Sequence, residues 1–312
     1  MDVHVSPCNP YLLYVVTDVA GMWRSNDGGA VWKQISNLPM PLSTGVMQIS
    51  AANPSVLYYG GGVRGASLGF WISKDGGDTW AQPKGFTDGA NNAAGGWTND
   101  VYSVVMDPSD AQHLLLTFHS GFEFKADAGV LESKDGGTSW IRHAPMGGWG
   151  AGHGISFLGN STTWLLATQG NGYWRTTNSG GTWTKVSDHN SMHGACIGTY
   201  SKAGVLYVGS NNQIMRSTDN GASFTFVGPK FADGFYQVIG DGTNLFAQES
   251  NTGANSVGPQ PYITSPDGDG VNWSPYNTQT FSDGPYRMDI DSVNHIIYSA
   301  NFNDGVWALK TK

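Results

Sequence analysis

The sequence predicts an all-β protein, a seven-bladed β-propeller forming one domain over residues 1–312. Three observations predict it. First, the stretch Ser25-Asn-Asp27-Gly-Gly29-Ala-Val-Trp32 returns along the chain. It recurs as Ser73-Lys-Asp75-Gly-Gly77-Asp-Thr79-Trp80, as Ser133-Lys-Asp135-Gly-Gly137-Thr-Ser139-Trp140, and in weaker form at Thr176–Trp183 and Ser217–Phe224. A sixth copy, Ser265–Trp273, carries one extra residue. The starts lie roughly 40 to 60 residues apart, the period of a propeller blade or solenoid unit. Second, only 13% of residues are charged, while 44 are glycine and 12% are aromatic. That balance suits short strands joined by tight turns. Third, short apolar runs fall in groups of up to four around each copy, and seven such groups can be counted.

The groups follow one another in order. The first has strands over 3–5, 11–17, 21–24 and 32–35, and the second over 46–49, 56–59 and 70–73, then Trp80. The third takes 101–106, 113–118, 129–132 and 140–142, and the fourth 154–158, 163–168, 172–175 and 183–186. The fifth takes 195–200, 205–209, 214–216 and 224–227, and the sixth 235–239, 245–248 and 261–264, then Trp273. The seventh, over 286–290, 296–300 and 306–309, has neither the repeated turn nor a fourth strand. The first group begins with its own inner strand, so the manner of ring closure is left open.

The repeat is a hairpin corner. Asp accepts bonds from backbone amides, Gly takes the positive φ, and the aromatic residue opens the next strand. The pattern resembles the Asp-box, also called the bacterial neuraminidase repeat, Ser/Thr-x-Asp-x-Gly-x-Thr-Trp. The resemblance implies a propeller, and it implies that the boxes are structural and lie away from any active site. It does not choose a function, because Asp-boxes occur in sialidases, xyloglucanases, polysaccharide lyases, sortilin-like receptors and photosystem assembly factors.

Bulk properties narrow the classes. The formal net charge is −8 and no basic cluster is visible, which argues against a nucleic-acid partner. No apolar run is long enough to span a membrane. Cys8 and Cys196 are far apart and read as free thiols. No signal peptide is recognisable; a secreted monomer is expected, with any leader outside these residues. No short-range ligand spacing supports a metal, and no cofactor is expected.

Four-stranded antiparallel blades sort their loops onto two faces. The repeated turn shares one face with the turns between first and second strands. The long loops, 36–45, 60–69, 84–100, 119–128, 145–152 and 248–259, share the other, where function tends to collect. The entries into the inner strands converge on the axis of that face. They carry Asn99-Asp100, His153, His193, Asp233-Gly234 and Asp283-Gly284. His119 ends a strand on the same face, and Arg64 and Lys125 lie in its loops. Asp18 follows a second strand, and Tyr236 and Arg287 sit just inside inner strands. Trp97 and Trp149 lie on Gly-rich rim loops, where a flat ring can stack on a sugar or pack beneath its own loop.

His119, His153, His193, Arg64 and Tyr236 are the expected catalytic groups. Asp18, Trp97, Asp100, Lys125, Trp149 and Arg287 are the expected substrate contacts. His4, His113, His143 and His295 read as structural. A His, Arg and Tyr set suits β-elimination from a uronic acid. Arg neutralises the carboxylate and acidifies the α-proton, while His or Tyr removes that proton and protonates the leaving oxygen. This placement is similar to that in propeller polysaccharide lyases acting on ulvan or on rhamnose–glucuronate side chains. A second resemblance is local: Thr17-Asp18-Val-Ala-Gly21 looks like the Thr-Asp-Val-Gly-Gly segment of family 74 xyloglucanases. It implies that Asp18 is a catalytic carboxylate, but those enzymes carry the second carboxylate on a second propeller. Six arginines and no Arg-Ile-Pro segment fit a sialidase poorly. The expected function is therefore a lyase or glycosidase acting on an acidic polysaccharide or oligosaccharide. The alternatives are a lectin-like propeller or a protein-binding assembly propeller, the latter requiring an exposed apolar patch.

Overall fold

The computed structural model describes the chain apart from residues 19, 36, 39–44, 63–64, 93–95, 120–128, 144–150, 193–196, 232, 251–260, 277–278 and 303, and apart from the side chains at 45, 151–153 and 169. Seven antiparallel sheets form the ring. The first holds β1 (Asp2–Ser6), β2 (Asn9–Val16), β3 (Met22–Ser25) and β4 (Lys33–Ile35). The second holds β5 (Gly45–Ile49), β6 (Leu57–Gly61) and β7 (Gly69–Ser73), followed by helix α1 (Lys84–Asn91). The third holds β8 (Val101–Asp107), β9 (Asp110–Phe118), β10 (Val130–Ser133) and β11 (Ile141–His143). The fourth holds β12 (Ala151–Phe157), β13 (Trp164–Gln169), β14 (Tyr173–Thr176) and β15 (Thr184–Ser187). The fifth holds β16 (Gly198–Tyr200), β17 (Leu206–Gly209), β18 (Ile214–Ser217) and β19 (Thr225–Val227). The sixth holds β20 (Val238–Gly240), β21 (Asn244–Gln248), β22 (Tyr262–Pro266) and β23 (Ser274–Pro275). The seventh holds β24 (Pro285–Asp291), β25 (Ile296–Asn301) and β26 (Gly305–Lys310).

The predicted blades are present, and the second and seventh are three-stranded. In the second, a single bridge between Ile72 and Ala81 stands where a fourth strand would run. The seventh closes directly on the first. The inner strand β1 packs against both β24 and β5. The amide of Val5 donates to Asp289 at 2.8 Å, and that of Met47 donates to Asp2 at 2.9 Å. Tyr298 of the last blade reaches the Gly28 carbonyl of the first repeated turn, as Tyr14 reaches Gly76 of the second.

Core residues lie between blades, not within one. Tyr14, Ile35, Met47, Leu57 and Trp80 fill the first gap, and Val3, Leu13, Tyr298 and Ala300 fill the last. Each sheet therefore buries both faces against its neighbours, which is what a ring of sheets requires.

Five of the six repeated turns share one hydrogen-bond pattern. In the second, Ser73 Oγ donates to Asp75 at 2.8 Å, and the amides of Gly77 and Thr79 donate to Ser73 Oγ and Asp75 at 2.8 and 2.9 Å. These bonds hold the Asp75 carboxyl down at about 2, the Thr79 hydroxyl contributing most. The sixth turn departs from this pattern. Its inserted residue shifts Asp267, whose carboxylate accepts instead from the amide of Lys202 in the fifth blade, at 2.9 Å.

The expected 84–100 loop contains α1, which its two glycines concealed. Phe86 and Ala90, one turn apart, are buried against Phe70, Val101 and Leu116.

Candidate functional site at the propeller axis

Three inner-strand entries bring a tyrosine to the axis at matching places. Asn99-x-x-Tyr102 leads into β8, Asp233-x-x-Tyr236 precedes β20, and Asp283-x-x-Tyr286 leads into β24. With Met192 they form one buried cluster. The hydroxyls of Tyr102 and Tyr286 hydrogen-bond to each other across 184 residues of chain. The Tyr236 and Tyr286 rings lie 4.4 Å apart between centroids. Tyr236 stands just before its inner strand, not within it as the sequence predicts.

The cluster carries charge on two sides. On one, His119 lies 5.0 Å from the Tyr102 ring centroid and its Nδ1 is 3.4 Å from Asp100 Oδ2. On the other, Arg287 follows Tyr286 and is only 8% exposed. Among the described residues its guanidinium has no carboxylate within 4 Å and no hydrogen-bond partner. Burial pushes all three phenols well above the ordinary tyrosine pKa, and the Arg287 charge only partly opposes it. The phenols are thus neutral at physiological pH. The Tyr236 hydroxyl and Asp233 Oδ2 are both buried without a hydrogen-bond partner among the described residues. Burial raises the Asp233 carboxyl, and its charge reaches the Tyr236 phenol.

A buried cation, an orphan hydroxyl and an orphan carboxyl oxygen at one place are unusual, because native proteins pair such groups. The arrangement can receive an anion at Arg287 and exchange protons with it.

Of the sequence-predicted residues, His119, Asp100, Tyr236 and Arg287 come together here. Asp18 lies after β2, near Tyr59, whose phenol its charge helps to raise after burial. Trp97 packs its ring against Phe86 of α1, at 6.0 Å between centroids, and lies over Gly89. His153 lies in β12 at the register shift opposite Thr168 and Ala167, and its side chain is outside the described set. His193, Arg64, Lys125 and Trp149 lie outside the described residues. Sequence reasoning passed over Tyr102 and Tyr286, and placed Asp233 at an axial strand entry without giving it a role. The recurring Asn/Asp-x-x-Tyr spacing was the available signal.

Two other ionic groups stand outside the tyrosine cluster, the first within reach of the Arg287 charge. His4 Nε2 bonds Asp2 at 2.8 Å and its Nδ1 stands 3.8 Å from Asp289. Burial works against charge on His4, but the two carboxylates outweigh it and raise its pKa. In the third blade, His113 bridges Asp107 and Glu132. Among the described residues no group of three or more His, Cys, Asp or Glu could hold a metal ion, and no helix is long and apolar enough to cross a membrane.

No family model and no curated protein matches this chain. Solved structures do match in fold. A GH74 xyloglucanase from Xanthomonas campestris superposes with a TM-score of 0.72 at 16% identity, covering 99% of this chain and 51% of that one. The chain YCF48 bound to D1 peptide gives 0.64 at 15% identity, covering 100% and 93%. The WD40 propeller domain of Doa1 gives 0.67 at 10% identity, covering 100% and 92%. The chain spans about half the length of the Xanthomonas campestris GH74 xyloglucanase and of an ancestral GH74 enzyme, 51% and 52%. At these identities the likeness is one of fold.

Proposed function

We propose that this propeller binds acidic glycans at its axis through Arg287 and cleaves them by β-elimination. One observation carries the reading: a cation more than nine-tenths buried with no carboxylate within 4 Å among the described residues and only longer-range coupling to the Asp2 charge, beside three neutral phenols. A uronate carboxylate supplies the missing charge, and the phenol rings offer flat surfaces to the sugar.

Each step follows from the residues present. Arg287 neutralises the carboxylate, which acidifies the proton on C5 of the sugar. His119, held by Asp100, accepts that proton. The electron pair forms the C4–C5 double bond as the bond from C4 to the glycosidic oxygen breaks. The Tyr236 phenol donates its proton to the departing oxygen. This reading puts the protein outside the cell, as a single-domain monomer meeting polysaccharide there.

Hydrolysis is the second reading. It is favoured by Asp233, whose burial-raised carboxyl suits a general acid, and by the fold likeness to glycoside hydrolase propellers.

The test is incubation with a panel of uronic-acid polysaccharides, following both the ultraviolet absorbance of an unsaturated uronate and new reducing ends. Rising absorbance identifies elimination. Reducing ends without absorbance identify hydrolysis. Retention on an acidic-glycan column with neither signal leaves a lectin, and no retention at all removes the glycan reading.

A further inference from the structure

Among the described residues, no strand pairs with the outer edge of the seventh blade. In the five four-stranded blades the outer strands β4, β11, β15, β19 and β23 are only two to four residues long. In the second blade the outer edge of β7 is partly filled by its own chain. The Ile72–Ala81 bridge sits on it, and the Gln82 amide donates to the Leu68 carbonyl at 2.9 Å. The edge strand β26 is different. It runs for six residues, Gly305-Val-Trp-Ala-Leu-Lys310, and pairs with β25 along its whole length without a bulge. It contains no proline, and its one charge stands at its end. Short length, bulges, proline and charge are the devices that ordinarily blunt an exposed edge.

The register shows which backbone groups that edge offers. The Thr311 amide donates to the His295 carbonyl at 2.9 Å, one step beyond the Ile296–Lys310 pair. Bonded and non-bonded pairs alternate along an antiparallel ladder. Gly305, Trp307 and Leu309 therefore bond to β25, while Val306, Ala308 and Lys310 turn their N–H and C=O groups outward. Apolar surface lies beside them, with Trp307 37% exposed and Phe302 40% exposed.

We infer that two copies of this chain pair through β26, antiparallel and edge to edge, about a two-fold axis at Ala308. One register engages all three outward residues of both copies. It sets Ala308 opposite Ala308 of the second copy and Val306 opposite its Lys310, and each such pair exchanges two backbone bonds. On the other face of the strand, Trp307 lies opposite Leu309 of the second copy, so an aliphatic chain covers the exposed indole. Lys312 falls opposite Asp304, with Lys310 one diagonal place away, so the ends of the edge are complementary in charge. A self-complementary patch closes at two copies. The contact is small beside the roughly 1,200–2,000 Å² of a stable interface. The dimer therefore forms as concentration rises, and the monomer is the dilute form. No residue of the axial site takes part, so this pairing stands apart from the glycan reading.

Sedimentation velocity of the full chain over a range of concentrations tests the pairing. Wild type is expected to move from monomer to dimer mass as concentration rises. Ala308→Glu and Ala308→Lys each set like charges face to face on the two-fold axis and leave the bonds between β25 and β26 in place. Each is expected to stay monomeric at concentrations where wild type is paired. An equimolar mixture of the two variants is expected to regain the dimer, because the axis then holds one charge of each sign, and misfolded variants would not recover in this way. Wild type that stays monomeric at every concentration overturns the pairing and leaves the edge to a strand of another chain. Dimers that survive in both variants place the contact elsewhere and overturn it too. A mixture that fails to pair overturns the register about Ala308, and a series of ever larger species overturns the two-fold closure.

Discussion

The third blade and the axis both bury charge, but only one of them closes its account. In the third blade, His113 is 4% exposed, with Nδ1 2.9 Å from Asp107 and Nε2 2.9 Å from Glu132. Carboxylates only accept, so both ring nitrogens donate and the ring is an imidazolium. The other oxygen of Glu132 accepts from His143 at 3.0 Å, and Lys134 adds a charge at 3.3 Å. Ser109 completes Asp107 through its amide and hydroxyl. Every charge there has its partner within the fold. At the axis, Arg287, the Tyr236 hydroxyl and Asp233 Oδ2 lack theirs among the described residues. The first arrangement ties together the four strands of one sheet. The second leaves polar groups buried without hydrogen-bond partners among the described residues.

Substituting His113 is expected to have the largest effect. His113→Ala leaves two buried carboxylates without their shared cation, and breaking a buried pair in this way costs about 3–5 kcal/mol. Urea denaturation measures it, and a loss below about 1 kcal/mol would show that the network is not what secures this blade. The same network fixes a pH window. Burial works against the His113 charge, but its two carboxylates raise the pKa above the ordinary 6.5. Its contribution is therefore complete below about 6.5 and lost as pH rises through the native value. Burial works against Glu132 too, yet His113, His143 and Lys134 hold it at about 2 against an ordinary 4.5. That contribution is complete above about 4.5 and lost as pH falls toward 2. Urea midpoints across pH should peak between those limits in wild type, and Glu132→Gln should make the acid-side fall shallower, the rest coming from other lowered carboxylates such as Asp107 and Asp219. An unchanged acid limb in the variant would assign the fall to other carboxylates.

Arg287→Ala inverts the pattern. Folding stability is expected to change little, because the substitution removes a desolvated cation that makes no hydrogen bond or close ion pair among the described residues, at the cost of its longer-range attraction to Asp2. Turnover of an acidic glycan is expected to fall by roughly 10²–10³, the usual cost of deleting one charge-stabilising donor. Arg287→Lys keeps the charge but loses the bidentate fork, so it should recover binding more than turnover. A large stability loss with normal turnover would make Arg287 another structural ion and end the contrast with His113.

How much of this was legible varies with distance along the chain. The repeated turns were visible because Ser25, Asp27 and Gly29 bond one another within five residues. They marked the blades, the corners and the seventh blade's missing fourth strand, but not the second's, where a strand was expected at Trp80 and only the Ile72–Ala81 bridge forms. Helix α1 was hidden because Gly85 and Gly89 read as loop, whereas each allows a close approach, to the Thr138 carbonyl and the Trp97 ring. Arg287, Tyr236, His119 and Asp100 could be assigned to the axis from topology alone. The pairing of Tyr102 with Tyr286 could not, since it spans 184 residues and exists only once β24 has closed on β1. His4, read as structural, helps make that closure, with Asp2 on its own strand and Asp289 across the seam. The lack of a partner at Arg287 was illegible for a simpler reason: sequence shows which charges exist but not which of them meet.

The smallest expected effect is also the most direct comparison, since it removes one oxygen atom in each region. Tyr14 is buried and its hydroxyl donates to the Gly76 carbonyl at 3.2 Å, tying the first blade to the second. Tyr14→Phe deletes that bond and leaves part of a carbonyl's demand unmet, for a cost of about 0.5–1.5 kcal/mol. Tyr236 is equally buried, but its hydroxyl has no bond to lose among the described residues. Tyr236→Phe therefore removes a desolvated polar group at no cost in partners, and stability should hold or improve slightly. Its penalty should appear only with substrate, as slower protonation of the departing oxygen with little change in KM. The paired thermal midpoints and the split between kcat and KM separate the two tyrosines. If both variants lose the same stability, the axial hydroxyl has a structural partner after all, and Tyr236 belongs with the closed chemistry of the blades.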